Sequence, residues 1–327
     1  MNRRNFIFQS SLAGAALVSP GWLMAARQEG LLTGKRIGII GLDTSHSLAF
    51  TKWFNREDAE SETGGYKVVA AYPHGSLDIV SSTSRIAPNT EEMKKQGVLI
   101  TASIAELLNQ VDVVCLETND GRRHLEQAME VFKAGKTVFI DKPVTASLKD
   151  AIALYEAAEQ FKVPVFSSSS LRYTANTKLV ARGEFGAVLG ADTYSPATIE
   201  KTHPDLFWYG IHGVEMLFAV MGTGCRSVYR SYSADADLVI GEWSNGRIGT
   251  FRGTRKGKAD FGGTAFCEKS NVQLGPFTGY VPLLEEVVKF FQTGRPPVSA
   301  KETLEIIAFM EAADRSRKKS KKVSLAR

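Results

Sequence analysis

The chain has 327 residues, 43% hydrophobic and 23% charged, an ordinary globular balance with room for two domains. Its net charge of +5 is local: Arg3 and Arg4 lie near the start, and Arg315, Arg317, Lys318, Lys319, Lys321, Lys322 and Arg327 follow Asp314 with no acid among them. Setting those nine aside leaves −4 for the body, which excludes a broad basic face for nucleic acid. The basic tail reads as a solvated helix end, where cations suit the helix dipole.

Residues 1–26 are expected to be a targeting segment. Asn2-Arg3-Arg4-Asn5-Phe6-Ile7 resembles a twin-arginine export signal, and no charge occurs from Asn5 to Ala26. Pro20-Gly21 interrupts the apolar run, which argues against a spanning helix. Ala25-Ala26 offers a cleavage region, and the expected mature protein is periplasmic, without a membrane span. Export of this kind carries folded proteins, which suits an enzyme loaded with its cofactor beforehand.

From Lys35 the pattern alternates. Strands are predicted at 35–41, 68–72, 98–101, 111–117, 137–140 and 163–167, with helices at 44–56, 103–109, 124–134 and 147–161 between them. Residues 73–90, with Pro73, Gly75 and Pro88, read as a long irregular connection. Such alternation predicts a doubly wound parallel sheet over 33–168, whose ligands sit beyond the carboxyl ends of its strands. Near Ser167 the character changes. Strands at 188–194, 228–233, 238–243, 248–252 and 264–267, a hairpin at Asn245-Gly246, helices at 281–292 and 302–314 and a short strand at 322–325 predict a second α/β domain over 169–327. Its sheet is expected to be largely antiparallel.

Three cysteines make no disulfide framework. Cys115 reads as a core residue, and the separation of Cys225 and Cys267 leaves their pairing open. No Cys or His cluster has zinc spacing, so no metal site is expected.

The turn after the first strand is an altered nucleotide fingerprint. In place of G-x-G-x-x-G stands Gly41-Leu42-Asp43-Thr44-Ser45-His46, with only the first glycine kept. Asp43 is expected to cap the first helix with its own side chain. Gly41, Thr44, Ser45, His46 and the helix start can still hold an anion. No Asp or Glu lies between Val68 and Leu77 to read a ribose, while His74 and Ser76 would tolerate a 2′-phosphate, so NAD and NADP both stay open.

Two further segments carry a resemblance. Thr118-Asn119-Asp120-Gly121-Arg122-Arg123-His124 precedes a helix, and Thr137-Val138-Phe139-Ile140-Asp141-Lys142-Pro143 ends a strand in a charged pair and a proline. In order and spacing they resemble the glucose-fructose oxidoreductase / inositol dehydrogenase / MocA family, whose members end the same strand in Glu-Lys-Pro. The resemblance runs from about Lys35 to the C-terminus. It implies that Thr118, Asn119, His124 and Pro143 border the cofactor and that Lys142 reaches both cofactor and substrate hydroxyl. The family also carries Asp-x-Gly-x-His-x-x-Asp. Here Gly210, His212 and Glu215 match, and Trp208 replaces the first acid. His212 is then the acid/base, with Asp205 or Glu215 as its carboxylate partner, and His203, Trp208 and Tyr209 lie at the substrate, the two aromatic rings as a stacking platform. Arg172 matches an arginine at the domain junction, assigned here to substrate, with a hinge salt bridge as the alternative.

The resemblance implies an NAD(P)-dependent oxidoreductase acting on a secondary hydroxyl of a sugar or sugar derivative, working as a homo-oligomer, with Lys142 and His212 catalytic. Two other readings stand beside it. One is a glycoside hydrolase or lyase that uses a tightly bound NAD for transient oxidation; the other is a carbohydrate-binding descendant without catalysis.

Overall fold

A computed structural model describes residues 34–57 and 60–325. The expected export segment, 1–26, lies outside the described residues. The first half runs β1 (Arg36–Ile40), α1 (Ser45–Asn55), α2 (Glu60–Thr63), β2 (Lys67–Tyr72), α3 (Val80–Lys95), β3 (Leu99–Ile100), α4 (Ile104–Leu108), β4 (Val113–Leu116), α5 (His124–Lys133), β5 (Thr137–Ile140), α6 (Leu148–Phe161) and β6 (Val165–Ser167). All six strands pair in parallel in the order β3-β2-β1-β4-β5-β6. The order reverses between β1 and β4, and a crevice opens at such a reversal beyond the strand ends. Helices cover both faces, so β4 and β5 are buried at every residue and read as unbroken apolar runs.

One expected element is corrected. Residues 73–79 are a loop, but 80–95 form α3, so the long irregular connection is half helix. Pro88 inside a run of serines and threonines hid it, since both features weigh against helix in isolation. Tertiary contacts supply what propensity lacks: Met93 is buried, and Asn89 donates through Nδ2 to the carbonyls of Leu42 at 2.8 Å and Thr44 at 3.1 Å. The face of α3 that sequence reading missed is thus what braces the altered glycine turn.

After a 3-10 turn, Ser170–Tyr173, come α7 (Ala175–Ala181), β7 (Val188–Pro196), α8 (Ile211–Met221), β8 (Cys225–Tyr232), β9 (Ala236–Trp243), β10 (Ile248–Thr254), β11 (Gly262–Cys267), β12 (Asn271–Leu274), α9 (Val281–Thr293), α10 (Ala300–Lys319) and β13 (Val323–Ser324). Seven strands pair in the order β12-β11-β7-β10-β9-β8-β13, antiparallel except for β7 with β10. The fold is therefore α/β throughout, a parallel sheet followed by a mixed, mostly antiparallel one. Gly246, at φ +82°, makes the β9–β10 turn as its sequence predicts. The short β12 escaped sequence reading. Helix α10 ends with Arg317, Lys318 and Lys319 in its last turn, and Cys115, Cys225 and Cys267 are all free thiols.

Candidate active site

Three strand ends of the parallel sheet meet at the crevice. β1 leads into Gly41, held at φ +92°, where an added Cβ would lie 2.5 Å from the Thr118 backbone nitrogen. A side chain is therefore excluded there, and the surviving glycine has a steric reason. Asp43 does not cap α1, contrary to expectation: Thr44 does, its Oγ1 accepting from the His46 amide at 3.3 Å. The Asp43 carboxylate is wholly buried. It accepts from the Ser76 amide at 2.7 Å, the Ser76 hydroxyl at 2.5 Å and the Asn119 amide at 3.1 Å, bridging the loops after β2 and β4. Asn119 itself donates through Nδ2 to Ser82 Oγ on α3 at 2.9 Å.

Beside that bridge lies a charged cluster. His46 Nδ1 is 2.8 Å from Asp141 Oδ2 and 3.8 Å from Glu117 Oε2, and Lys142 Nζ is 3.6 Å from Asp141 Oδ2. All four side chains are buried. Burial works to raise Asp141, yet His46 and Lys142 hold it below the usual carboxylate range. Glu117 lies on the other side of the balance. Its own burial, then the Asp141 charge, pushes it well above that range, and neither of its carboxylate oxygens has a hydrogen bond. The Lys142–Pro143 peptide is cis.

His212, near the start of α8, reaches the same region from the second half of the chain. Its Nδ1 lies 2.7 Å from Ser169 Oγ, just past β6. Burial first, then the positive charges of Lys142 and His46, lowers its pKa well below the ordinary histidine value, so the ring is neutral near pH 7. Lys142 and His212, the two expected catalytic groups, are thus within electrostatic reach of one another. Tyr209 is 40% exposed with its ring centroid 5.9 Å from that of His212, so it keeps a place at the mouth of the site.

Other expectations are corrected. Glu215 does not pair with His212; it takes Arg172 Nε at 2.9 Å, while Arg172 Nη2 lies 2.7 Å from Glu302 Oε1. Arg172 is therefore the junction ion pair and not a substrate contact. Asp205 is drawn away too, to Arg230 Nη2 at 3.0 Å and to Arg317. His203 and Trp208 are buried, their ring centroids 5.2 Å apart, with His203 Nε2 3.3 Å from Asp120 Oδ1, so neither stands open as a sugar platform. His124 lies fully inside, Nδ1 3.1 Å from the Val144 carbonyl and Nε2 2.6 Å from the Thr118 carbonyl. It ties the loop after β4 to the segment after Pro143 and positions them without facing the crevice.

Glu117 and Ser169 were missed as site residues, and Ser76, read as tolerating a 2′-phosphate, instead holds Asp43. For Glu117 a signal existed: it is a charged residue at the carboxyl end of a buried parallel strand, the feature that singled out Lys142. Asp141 was noted only as a shortened glutamate.

The Gfo/Idh/MocA family model, described as an oxidoreductase family with an NAD-binding Rossmann fold, matches residues 35–169. That span contains the altered turn, the Thr118 segment and Asp141-Lys142-Pro143. Residues 35–169 thus carry the NAD-binding domain of the Gfo/Idh/MocA family. An uncharacterised oxidoreductase of this kind, YhhX of Escherichia coli, is 26% identical over 140 residues, which span 37% of this chain and 39% of the relative. The fold extends further than the sequence match. A probable dehydrogenase of Thermotoga maritima superposes with a TM-score of 0.73 at 20% identity, over 88% of this chain and 98% of the other. Myo-inositol 2-dehydrogenase of Lactobacillus plantarum does so with a TM-score of 0.73 at 16% identity, over 90% and 100%. Myo-inositol dehydrogenase of Lactobacillus casei, solved with NAD(H) and myo-inositol, has a TM-score of 0.70 at 15% identity, over 89% and 97%.

The family implies a nicotinamide dinucleotide, and the residues of this chain fit its two halves differently. Past the end of β4 the Thr118 hydroxyl is buried without a partner, next to Gly41, and can take a polar group of the ligand. At the altered turn the Ser76 and Asn119 donors are already held by Asp43, a group of the same charge as a phosphate.

Proposed function

We propose that this Gfo/Idh/MocA member is an NAD(P)-dependent oxidoreductase that acts on a secondary hydroxyl of a sugar, cyclitol or related polyol. The observation that carries the reading is that buried Lys142, at the end of β5, lies within electrostatic reach of buried His212 on α8, next to the strand ends of an NAD-binding family domain. The dehydrogenases with which the fold superposes, one of them solved with myo-inositol, support the substrate class.

The bound nicotinamide supplies the hydride acceptor. The Lys142 ammonium stabilises the negative charge that develops on the substrate oxygen as the proton leaves. When His212 Nδ1–H donates to Ser169 Oγ, Nε2 is left basic and accepts the hydroxyl proton. Exclusion of water falls to the buried surroundings of both groups, which strengthen each electrostatic contact. NAD and NADP are not distinguished by these residues, and Ser76 in place of a ribose-reading acid leaves room for either. The Arg3-Arg4 segment supports delivery to the periplasm, which cell fractionation of the full chain would test.

The test is absorbance of the reduced nicotinamide when the full chain is mixed with NAD or NADP and a panel of cyclitols, aldoses and glycosides. Reduction by wild type that is lost in Lys142→Ala, with the variant still folded, is the expected result. If neither wild type nor Asp43→Gly binds either dinucleotide, the redox reading is overturned.

A further inference from the structure

We propose that His46, Glu117 and Asp141 form a binding site for a divalent transition-metal ion. One ligand atom from each, Nδ1 of the histidine and one oxygen of each carboxylate, lies within 4.8 Å of the other two. The residues come from three places, the start of α1 and the ends of β4 and β5, so the crevice and not sequence spacing assembles them.

Two independent features point to a cation. The first is spacing. A tetrahedral ion with bonds of about 2.1 Å keeps its ligand atoms about 3.4 Å apart, and the His46 contacts, 2.8 Å to Asp141 and 3.8 Å to Glu117, bracket that figure. The second is the Glu117 carboxylate, fully buried with no hydrogen bond to either oxygen. A buried carboxylate left without partners is costly; protonation would remove the charge but still leave its oxygens without a hydrogen bond. A cation between the three groups satisfies it.

The charges fit as well. With both carboxylates ionised as ligands, a dication offsets their two negative charges. Imidazole with carboxylates suits zinc, manganese or ferrous iron better than calcium or magnesium, which prefer all-oxygen cages. Three protein ligands leave a tetrahedral ion one open position, as in catalytic and unlike closed structural sites. The class of ligand for that position is a substrate hydroxyl or water. The inference does not rest on the dinucleotide reading, since no residue of the Asp43 bridge takes part in it.

The experiment uses the untagged full chain, stripped with chelator and titrated by calorimetry with zinc, manganese and cobalt(II) chlorides, with the visible spectrum of the cobalt form as a second readout. Expected are one ion per chain, a rise in Tm on binding, and cobalt bands of a four- or five-coordinate site. Glu117→Gln, which keeps the shape of the side chain, is expected to weaken binding by about 100-fold, since a charged ligand is lost. Asp141→Asn serves as a second isosteric variant, and circular dichroism of both stripped variants establishes that they fold. Absence of binding by the folded wild type for all three ions overturns the proposal. So does binding that neither isosteric variant weakens.

Discussion

Ser169 Oγ and His212 Nδ1 lie 2.7 Å apart, although the first ends the parallel sheet and the second opens a helix of the other half. The contact holds the ring orientation of the proposed base, and an Nδ1–H donated to Ser169 leaves Nε2 basic. Ser169→Ala is therefore expected to lower kcat by about 10-fold with little change in KM, against a loss of 10²- to 10⁴-fold, on the order of general-base removal, for His212→Ala. The readout that separates positioning from simple structure is the pH profile, whose acid limb should move in Ser169→Ala. Equal Tm and an unmoved profile would remove Ser169 from the mechanism.

The same histidine sets a dependence on pH. Its folded pKa lies well below the ordinary value, so between the two the unfolded chain holds a proton that the folded chain lacks. Stability linked to His212 is full above about pH 6.5 and is lost as pH falls, by up to about 1.4 kcal/mol per pH unit. Glu117 and Glu215, both raised by burial, work in the opposite direction. The comparison is thus between wild type and His212→Asn: urea midpoints from pH 7 to 5 should fall more steeply for wild type. The acid limb of kcat/KM is likewise expected below 6.5.

Asp43→Gly restores the second glycine of the fingerprint and frees the Ser76 and Asn119 donors. Affinity for NAD or NADP, measured by calorimetry, should rise by about tenfold or more, equivalent to about 1.4 kcal/mol. Loss of the bridge should at the same time cost about 1–3 kcal/mol of stability, because it breaks three hydrogen bonds of a buried carboxylate. Unchanged affinity would mean that Asp43 and the dinucleotide do not compete.

Arg172 is wedged between Glu215 and Glu302, and burial opposes its charge while both acids raise it. Arg172→Met leaves two acids without their partner and should destabilise the fold by about 3–5 kcal/mol in urea titration. A loss below 1 kcal/mol would show that the acids find protons or water at little cost.

The strands of the first half were legible because a parallel sheet covered on both faces needs continuous apolar runs, and Val113–Leu116 and Thr137–Ile140 supply them. Lys142 was legible because Asp141-Lys142-Pro143 closes the strand at the place and spacing of the family's Glu-Lys-Pro. Helix α3 was not, since Asn89 and Met93 stabilise it through contacts to the distant glycine turn and core. The roles of Asp43, Asp205 and Arg172 were misjudged for one shared reason. Each was assigned a partner close in sequence or taken from the family pattern, whereas the partners found are Ser76, Arg230 and Glu215, 33, 25 and 43 positions away. The His46–Asp141 pair spans 95 positions and left no trace in local spacing.

Asp205 lies between the two histidines of the proposed substrate segment, yet it is anchored to Arg230 and Arg317, and the Arg317 guanidinium sits 3.6 Å above the Tyr232 ring. The segment around Asp205 is therefore moored to the last turn of α10 and to β8. Anyone who transplants residues 200–209 from a relative to change specificity inherits this mooring as a design constraint. A graft that lacks an acid at 205 leaves Arg230 with Asp237 and Asp314 but removes both ties of the loop, to Arg230 and to Arg317.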